Sequence, residues 1–271
     1  MHTASDQSES ITALLAQARL GEAVAAAATH VKSKPMDTTA RLLLADLLCL
    51  QGAIEAADAQ LQIAGQLASA EAVGIARLRG LLRAETARRA WFKQGAIPSF
   101  LAPPTPRQQQ ALRLAVAWRA GDADAAGRQL AELERSQIAC RGSCDGAAFD
   151  DFRDADDLMQ ENIETLGTNG QYYWLAPQTL ARLTFTPPRH PRDLLWRRAK
   201  AVFNSGEQAE LHLPAQYCTD AADDDHRLAR RTDWTTSLGV TLGCGQRVLV
   251  VGDEPRAMME IGEISFASAG A

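Results

Sequence analysis

Five aspartates and one arginine lie within the nine residues from Phe149 to Asp157, and this acidic stretch holds the greatest capacity for chemistry in the sequence. Its charged members are Asp150, Asp151, Arg153, Asp154, Asp156 and Asp157. Carboxylates at this density could bind a divalent cation and serve a metal-dependent hydrolase. They could also cap a helix or face a basic partner. Their spacing matches neither an EF-hand loop nor a paired-carboxylate motif, so it does not single out a metal site.

We expect the acidic stretch to form a polar network with arginines of the same domain. Candidate arginines lie in Trp196–Arg198 and in Arg227–Arg231. Burial would strengthen such pairs, whereas an exposed ion pair is worth only about 0–1 kcal/mol. This interpretation predicts a structural role for the aspartates, with no catalytic residue, no cofactor and no metal ligand among them.

The cysteines and histidines raise the alternative of a zinc site. Cys140 and Cys144 are four residues apart, and His212, Cys218 and His226 lie within 15 residues. Neither group has the two-residue spacing of a zinc knuckle. The segment between the last two is rich in aspartate and is predicted to be a surface loop, so we do not predict zinc binding.

Two shorter motifs also have plain structural interpretations. Gly243–Gly245 lies between two predicted strands with no helix after it, which favours a hairpin turn over a phosphate-binding loop. Thr232, Asp233 and Trp234 place an acid beside a large ring. We predict that Trp234 packs in the core and that Asp233 accepts a hydrogen bond from a backbone amide.

Composition limits the class of protein. The chain has 271 residues, is 46% hydrophobic and carries a net charge of -5, so it can bury a large core and suits two domains. Its acidity argues against nucleic acid or anionic lipid as a partner. Five irregularly spaced cysteines, a polar start and no apolar run of membrane-spanning length predict a cytoplasmic protein without membrane insertion.

The first half shows internal repetition. Leu20-Gly21-Glu22, Gln51-Gly52 and Ala120-Gly121-Asp122 are each followed by an alanine five residues after the glycine. A glycine can end one helix in the left-handed conformation, and a small alanine lets the next helix pack closely. The glycine spacings of 31 and 69 residues are near one and two tetratricopeptide periods, which predicts stacked helical hairpins with a degenerate unit between the second and third.

Three helices are predicted after the second hairpin. The first runs over residues 69–94, with Val73 and Trp91 among its buried residues and its arginines on a solvated face. A proline-rich connector follows, because no helix can run through Pro103, Pro104 and Pro106. Helices over residues 106–120 and 122–140 come next, the latter with Ile138 facing inward.

The second half has a different pattern. Leu158, Met159, Ile163 and Leu166 recur at helical spacing, which predicts a helix after the acidic stretch. The later runs predict strands that no long helix separates, and hence an antiparallel sheet. The predicted fold is α+β: a tetratricopeptide-like helical-repeat domain over residues 1–140, then a mixed, mainly antiparallel β domain with a few helices over residues 145–271.

A succession of motifs over residues 145–266 resembles the ImpE family, also called SciE or TagJ, an accessory component of bacterial type VI secretion. Besides the acidic stretch, the motif residues that we single out as structural or interacting are Trp174, Asp193, Trp196, Arg197, Thr232, Asp233, Trp234, Gln246 and Arg247. The repeat-like helices of the first half are also similar to that family.

The resemblance implies a non-enzymatic adaptor. Its implied partner is the small subunit of the contractile sheath, bound through that subunit's amino-terminal helix. Its implied role is to assist recycling of the sheath by a AAA+ ATPase. A metal-dependent hydrolase using the acidic stretch and a general tetratricopeptide-like scaffold stay open as alternatives.

Overall fold

The computed structural model describes residues 4–160, 162–220 and 222–267, with side chains from Ser10 onward. Seven helices fill the first half and one short helix lies in the second half. Their bounds are α1 Ala4–Ala16, α2 Leu20–Ser33, α3 Thr38–Gln51, α4 Ile54–Leu67, α5 Ala72–Gln94, α6 Pro106–Arg119, α7 Ala123–Arg135 and α8 Asp224–Arg227. No helix in these described ranges combines the length and hydrophobicity needed to cross a bilayer.

Local signals set several of the helix ends. The side chain of Asp37 caps α3, and Gly52 ends that helix in the left-handed conformation with φ 87°. Thr105 and Gln108 form a reciprocal capping box at the start of α6. Asp122 caps α7 after Gly121, whose φ is 74°. These ends produce the adjacent helical pairs α3–α4 and α6–α7.

The repeat prediction is wrong in two details. Gly21 lies inside α2, and the residue with positive φ between α1 and α2 is Ala18. The degenerate hairpin expected in the middle is instead one helix, α5, of 23 residues. Val73 on α5 and Ile138 beyond α7 are exposed, contrary to prediction, because both lie near the ends of their segments, where no neighbouring element covers them.

Thirteen strands make up most of the second half in the described ranges. They are β1 Gly142–Cys144, β2 Ala147–Phe149, β3 Phe152–Asp154, β4 Ile163–Leu166, β5 Tyr172–Leu175, β6 Leu180–Phe185, β7 Trp196–Phe203, β8 Gln208–Pro214, β9 Thr232–Ser237, β10 Val240–Gly245, β11 Val248–Val251, β12 Glu254–Ala257 and β13 Glu263–Phe266. Eight form one sheet in the order β2-β1-β13-β6-β7-β8-β4-β5, and the others form β12-β11-β3 and the ribbon β10-β9. Every pairing between these strands is antiparallel, as predicted. The fold is therefore α+β.

The helix predicted after the acidic stretch is absent. Residues 157–160 form turns, and Ile163–Leu166 is the fully buried strand β4. Ile163 and Leu166 are three residues apart, which is also helical spacing. Glu164 and Thr165 between them are buried as well, so the strand shows no alternation of apolar and polar residues. The hairpin turn predicted at Gly243–Gly245 is also wrong. Those residues belong to β10, and the turn is Leu238-Gly239, where both φ values are positive.

The helices and the sheet share one apolar core. The core of the helical half continues into Leu158, Leu166, Trp174 and Trp196 of the second half, and Trp91 of α5 packs on Trp174 at 4.9 Å between ring centroids. A second core lies within the β region and includes Phe152, Leu183 and Ile264. The proline-rich connector is fixed in place, because Ser99 exchanges backbone hydrogen bonds with Tyr172 and Trp174 of the edge strand β5.

One glycine lets α5 approach the sheet. A Cβ atom on Gly80 would lie 1.8 Å from the carbonyl oxygen of Thr168, which follows β4. The contact is with backbone, so no side-chain rotation could relieve it. Gly74 is on the same helix and has nothing within 4 Å of its would-be Cβ position.

We predict opposite effects for alanine at these two glycines. Gly80→Ala should lower the free energy of unfolding by about 3 kcal/mol, because α5 must move away from the sheet. Gly74→Ala should raise it by about 0.5 kcal/mol, since alanine favours the helix. Urea unfolding measures both values, and equal effects of the two substitutions would contradict the close approach of α5.

Candidate functional site

A buried ionic network joins α5 to the β region. Arg88 of α5 donates two hydrogen bonds to Glu164 of β4, from Nε at 2.8 Å and from Nη2 at 3.1 Å. Arg247, just before β11, binds the second carboxylate oxygen of Glu164 and also binds Asp154 of β3. These four side chains, which we call the Glu164 network, are all at most 4% exposed. Glu164 therefore links one helix and two sheets.

Neutral groups complete the hydrogen bonding around the network. The hydroxyl of Tyr172 donates to Glu164 at 2.5 Å and accepts from the indole of Trp174 at 2.6 Å. The hydroxyl of Tyr217 donates to Asp154 at 2.9 Å. Arg88 and Arg247 also donate to the carbonyl oxygens of Gln216 and Pro214. Charges at this depth are tolerated only when they are paired and hydrogen-bonded in this way.

The two arginines control the ionisation of Glu164. Burial alone would raise the pKa of this carboxyl, but the charges of Arg88 and Arg247 outweigh burial and lower its pKa to about 2. The pKa of Arg88 is correspondingly raised, with Glu164 and Glu85 overcoming the opposing effect of its burial. Glu164 is therefore ionised over the whole physiological range of pH.

A further carboxylate, Glu85, extends the network along α5. It lies 3.6 Å from Arg88, accepts a hydrogen bond from Arg89 at 3.0 Å, and accepts one from the indole of Trp196 at 3.3 Å. The three arginines, Arg88, Arg89 and Arg247, then balance Glu85, Glu164 and Asp154. Asp156 is left without a cation of its own.

Asp156 and Asp157 attach the β9–β10 ribbon through backbone amides. Asp156 accepts hydrogen bonds from the amides of Leu158 at 2.9 Å and Gly243 at 3.0 Å, and Asp157 accepts one from Thr241 at 2.6 Å. Burial, and then the neighbouring charge of Asp154, raise the pKa of Asp156 to about 7. Burial likewise raises the pKa of Asp154.

Asp150 and Asp151, the first two aspartates of the acidic stretch, lie closer to the surface than the two buried aspartates of that stretch. Asp151 accepts hydrogen bonds from Gln137 at 2.7 Å and from Arg153 at 3.2 Å, whereas Asp150 is exposed. The five aspartates thus point to different partners. In the described ranges, no three side chains of His, Cys, Asp or Glu are placed to hold one metal ion.

The aspartates do pair with arginine, but not with the arginines that we predicted. Asp154 pairs with Arg247, which also binds Glu164 and through it joins Arg88, and Asp151 pairs with Arg153 at the surface. Arg197 instead binds the carbonyl oxygen of Met258 and lies over the ring of Phe185, and Arg227 donates to the carbonyl oxygen of Gln51. Sequence reasoning placed Arg88 on a solvated face. The signal that could have found it is the apolar spacing of Leu81, Ala84, Arg88 and Trp91, all buried.

Four other motif residues have structural roles around the network. Trp174 and Trp196 are buried, and their indole nitrogens bond to Tyr172 and Glu85. Asp193 is buried and accepts hydrogen bonds from the backbone amides of Arg189 and His190, at 2.8 and 2.9 Å. Gln246 donates to the carbonyl oxygen of Ala229 and accepts from the amide of Met259, and its own carbonyl accepts from Thr232.

The prediction for Asp233 and Trp234 is wrong. Trp234 is 42% exposed and rests on the ring of Tyr217 at 5.6 Å between centroids. It lies on the exposed strand β9, on which no further layer packs. Asp233 is 3.0 Å from the buried ring of His226 and 3.1 Å from Arg231, and no backbone amide of the described residues donates to its side chain.

The cysteines and histidines considered as zinc ligands lie in different parts of the structure. Cys140 and Cys144 belong to the β core, Cys218 lies beside Arg88 and Glu85, and His226 is held between Asp223 and Asp233. Burial raises the pKa of the Cys218 thiol to about 11, which keeps it protonated at neutral pH.

A groove of about 670 Å³ opens between the helices and the face of the sheet that carries Trp196. We call it the α5–β8 groove. Its helical side includes Leu42, Ile75, Arg77 and Leu78, and its sheet side includes Trp196, Arg198, Glu210 and His212. Burial lowers the pKa of His212, whose Nδ1 is buried without a hydrogen-bond partner among the described residues. The groove thus combines apolar walls with charged edges.

We predict that the Glu164 network dominates the stability of the fold. Glu164→Gln removes the negative charge that the buried guanidiniums of Arg88 and Arg247 share, and should lower the free energy of unfolding by about 3–5 kcal/mol. The matched control is Glu132→Gln, which removes one partner of a surface pair with Arg135 and should cost less than about 1 kcal/mol. Urea unfolding at pH 7 compares them, and similar losses for both would contradict the burial of the network.

Asp156 should impose a pH dependence on stability. Its pKa is near 3.9 in the unfolded chain and about 7 in the folded protein, so its favourable contribution is complete at low pH and is lost as the pH rises through 7. We predict that the stability of the wild type relative to Asp156→Asn falls between pH 4 and 7, by up to about 1.4 kcal/mol per pH unit. A difference that stays constant from pH 4 to 8 in urea unfolding would contradict this.

Known proteins are similar to this chain in sequence and in fold. Residues 146–265 match the family model described as ImpE protein. The chain is 29% identical over 255 residues to the type VI secretion system accessory component TagJ of Pseudomonas aeruginosa, covering 93% of this chain and 89% of that protein. Its fold is similar to the crystal structure of protein VPA1032 from Vibrio parahaemolyticus, with a TM-score of 0.87 and 23% identity, covering 96% of this chain and 98% of that one. The resemblance found in the sequence is confirmed: residues 146–265 are similar to the ImpE family, and most of the chain is similar to TagJ.

Proposed function

We propose that this protein is an accessory component of a type VI secretion system and that it acts by binding other proteins, with no catalysis of its own. The similarity to TagJ extends over nearly the whole of both chains, so it includes the helical half as well as the ImpE region. We further propose a tetratricopeptide-like unit over residues 1–140, an ImpE-type unit over residues 145–271, and a cytoplasmic location.

The hydrogen bonds of the aspartates are the observation that carries this proposal. A hydrolase using the acidic stretch would need its carboxylates directed toward one ion and one substrate. Asp154, Asp156 and Asp157 are instead directed to Arg247 and to backbone amides. These residues serve to hold the helices, the sheet and the β9–β10 ribbon together, which suits a rigid surface for binding.

The finer proposal is that the α5–β8 groove receives the amino-terminal helix of the sheath small subunit. An amphipathic helix binds through a few apolar side chains on one face, with charged residues beside them. Leu42 and Leu78 offer apolar contacts, while Arg77 and Glu210 lie at the edges. The volume of about 670 Å³ suits the anchoring side chains of such a helix.

Assistance to the AAA+ ATPase is the last element of the proposal. By holding the sheath subunit, the adaptor would keep it near the ATPase that disassembles the contracted sheath. The possibility that the acidic stretch faces a basic partner does not support this role, because Asp154 and Asp156 are buried.

Binding of the sheath small subunit from the same organism tests the proposal. Calorimetry with the full chain should give a micromolar-scale dissociation constant, and deletion of the subunit's first helix should abolish binding. Arg77→Glu, in the groove, should weaken binding about 10-fold, because it reverses a charge at the interface. Arg128→Glu is the matched control, since Arg128 is exposed on α7 and does not line the groove.

Three outcomes count against parts of the proposal. If the wild type does not bind the subunit, the sheath partner is wrong. If both arginine variants bind like the wild type, the partner lies elsewhere on the surface. If residues 1–140 alone bind as tightly as the full chain, the general scaffold is the better description.

A further inference from the structure

A shallow depression of about 560 Å³ lies at the amino-terminal end of strand β8, beside the turn that joins β4 to β5. We call it the β8-edge site. Residues 207–211 line one side of it, and Thr168 and Asn169 of the turn line another. It meets the α5–β8 groove at Thr168 and Glu210, which line both openings.

The amino-terminal end of β8 lacks a neighbouring strand on one side. Strand β8 pairs with β7 over its whole length, but in the described ranges it pairs with β4 only where Leu166 lies opposite His212. Beyond that pair the chain turns away from β8, and the carbonyl oxygen of Thr168 lies against Gly80 of α5. The residues of β8 before His212 therefore form an open strand edge.

The β7–β8 ladder shows which backbone groups of this edge are open. The amide of Phe203 on β7 donates to the carbonyl oxygen of Glu207 at 2.9 Å, so these two residues form a hydrogen-bonded pair. Hydrogen-bonded and non-hydrogen-bonded pairs alternate along an antiparallel ladder. The backbone amides and carbonyls of Gln208 and Glu210 therefore point away from β7. No other described residue forms a hydrogen bond with them.

The floor of the site is apolar. Tyr173, Phe203 and Leu211 are half-buried and pack against the second core, and Leu101 at the rim is 64% exposed. Ala209 is on the same face of β8 as Leu211, because side chains alternate along a strand. Its small side chain leaves room for a larger apolar side chain on an incoming strand.

The charge of the site is negative. Glu207 and Glu210 both line it and are exposed, and none of its lining residues is lysine, arginine or histidine. Like charges placed opposite each other on paired strands are destabilising. A second copy of β8, or any other acidic strand, is therefore a poor partner for this edge. A strand with basic side chains is the complementary one.

We propose that the β8-edge site binds an extended, basic and apolar segment of a partner protein, which adds to the sheet as a short antiparallel strand. The segment residues opposite Gln208 and Glu210 exchange backbone hydrogen bonds with them, and the residue between places an apolar side chain over the floor. A lysine or arginine lies opposite Glu210, and a second one lies near Glu207. This site does not depend on the proposed role in secretion.

The register gives the sequence of the matching segment. Running antiparallel to β8, its four residues lie opposite Glu210, Ala209, Gln208 and Glu207 in that order. The pattern is basic, apolar, polar, basic, and Lys-Leu-Thr-Lys is a peptide that fits it. The volume of about 560 Å³ is within the range of sites that hold molecules of this size.

The test titrates the full chain with acetylated and amidated tetrapeptides and follows the backbone amide signals of Gln208 and Glu210 by NMR. We expect saturable shifts with Lys-Leu-Thr-Lys, with a dissociation constant on the order of 1 mM for so short a peptide. The charge-reversed peptide Glu-Leu-Thr-Glu should bind at least about 10-fold more weakly, because it places carboxylates opposite Glu207 and Glu210.

Two N-methylated forms of Lys-Leu-Thr-Lys distinguish strand pairing from attraction between side chains. The threonine amide faces β8, so a methyl group on it removes a donor and blocks the edge, and should weaken binding at least about 10-fold. The leucine amide faces away from β8. A methyl group there is the matched control and should change binding by less than about 3-fold.

Variants of the protein test the same contacts from the other side. Gln208→Pro removes an amide that has no partner in the fold and should weaken peptide binding about 10-fold. Glu207→Lys should weaken it at least about 10-fold by reversing a charge that lines this site and not the α5–β8 groove. Glu134→Lys, at an exposed position of α7, is the control and should bind like the wild type. If Gln208→Pro does not fold, the two N-methylated peptides test the same hydrogen bond on the native chain.

Any of three results overturns the proposal. The first is the absence of a saturable shift at Gln208 and Glu210 with Lys-Leu-Thr-Lys. The second is binding of the charge-reversed peptide that is as tight as that of the basic one, since charge would then not select the partner. The third is equal binding of the two N-methylated peptides, since the segment would then be held by its side chains without joining the sheet.

Discussion

The fold depends on one carboxylate held between two guanidiniums. Glu164 receives Arg88 from the helical half and Arg247 from the β half, and all three side chains are almost fully excluded from solvent. Any sliding of α5 against the sheet would leave a buried charge without its partner, which costs far more than the loss of an apolar contact of similar size. Apolar packing of Trp91 on Trp174 brings the two halves together, and the Glu164 network determines their register.

The same requirement explains the acidic stretch. Asp154 forms an ion pair with Arg247. The next two carboxylates, Asp156 and Asp157, accept hydrogen bonds from the backbone amides of Gly243 and Thr241 and so hold the ribbon. Dense carboxylates here are a framework that joins three sheets to one helix. The α5–β8 groove opens along the boundary between helices and sheet, whose relative position the network holds.

Local signals made the helical half predictable. The contacts at the boundary between the two halves were not predictable from the sequence. Capping residues such as Asp37 and Asp122, and left-handed Gly52, set helix ends that the sequence predicts closely. Strand β4, Ile-Glu-Thr-Leu, was mistaken for a helix because its two apolar residues are three apart and its two polar residues are buried, so the sequence shows no strand alternation. Asp154 pairs with an arginine, but with Arg247 and not with one of the arginines that were predicted. Arg88 is 76 residues from Glu164, and no local pattern specifies a partner at that distance. Exposure of Trp234 depends on β9 being uncovered, which is a property of the tertiary fold.

At the boundary between the helices and the sheet, charged side chains are paired, whereas some neutral polar side chains are not. The carboxylates and guanidiniums of the Glu164 network are paired, because an isolated buried charge would cost more than the whole stability of an ordinary domain. Gln108 and Asn162 lie at the same boundary, but they are neutral, and an unpaired amide atom costs only about 1–3 kcal/mol. A fold can carry two such groups and remain stable, whereas it could not carry two unpaired charges.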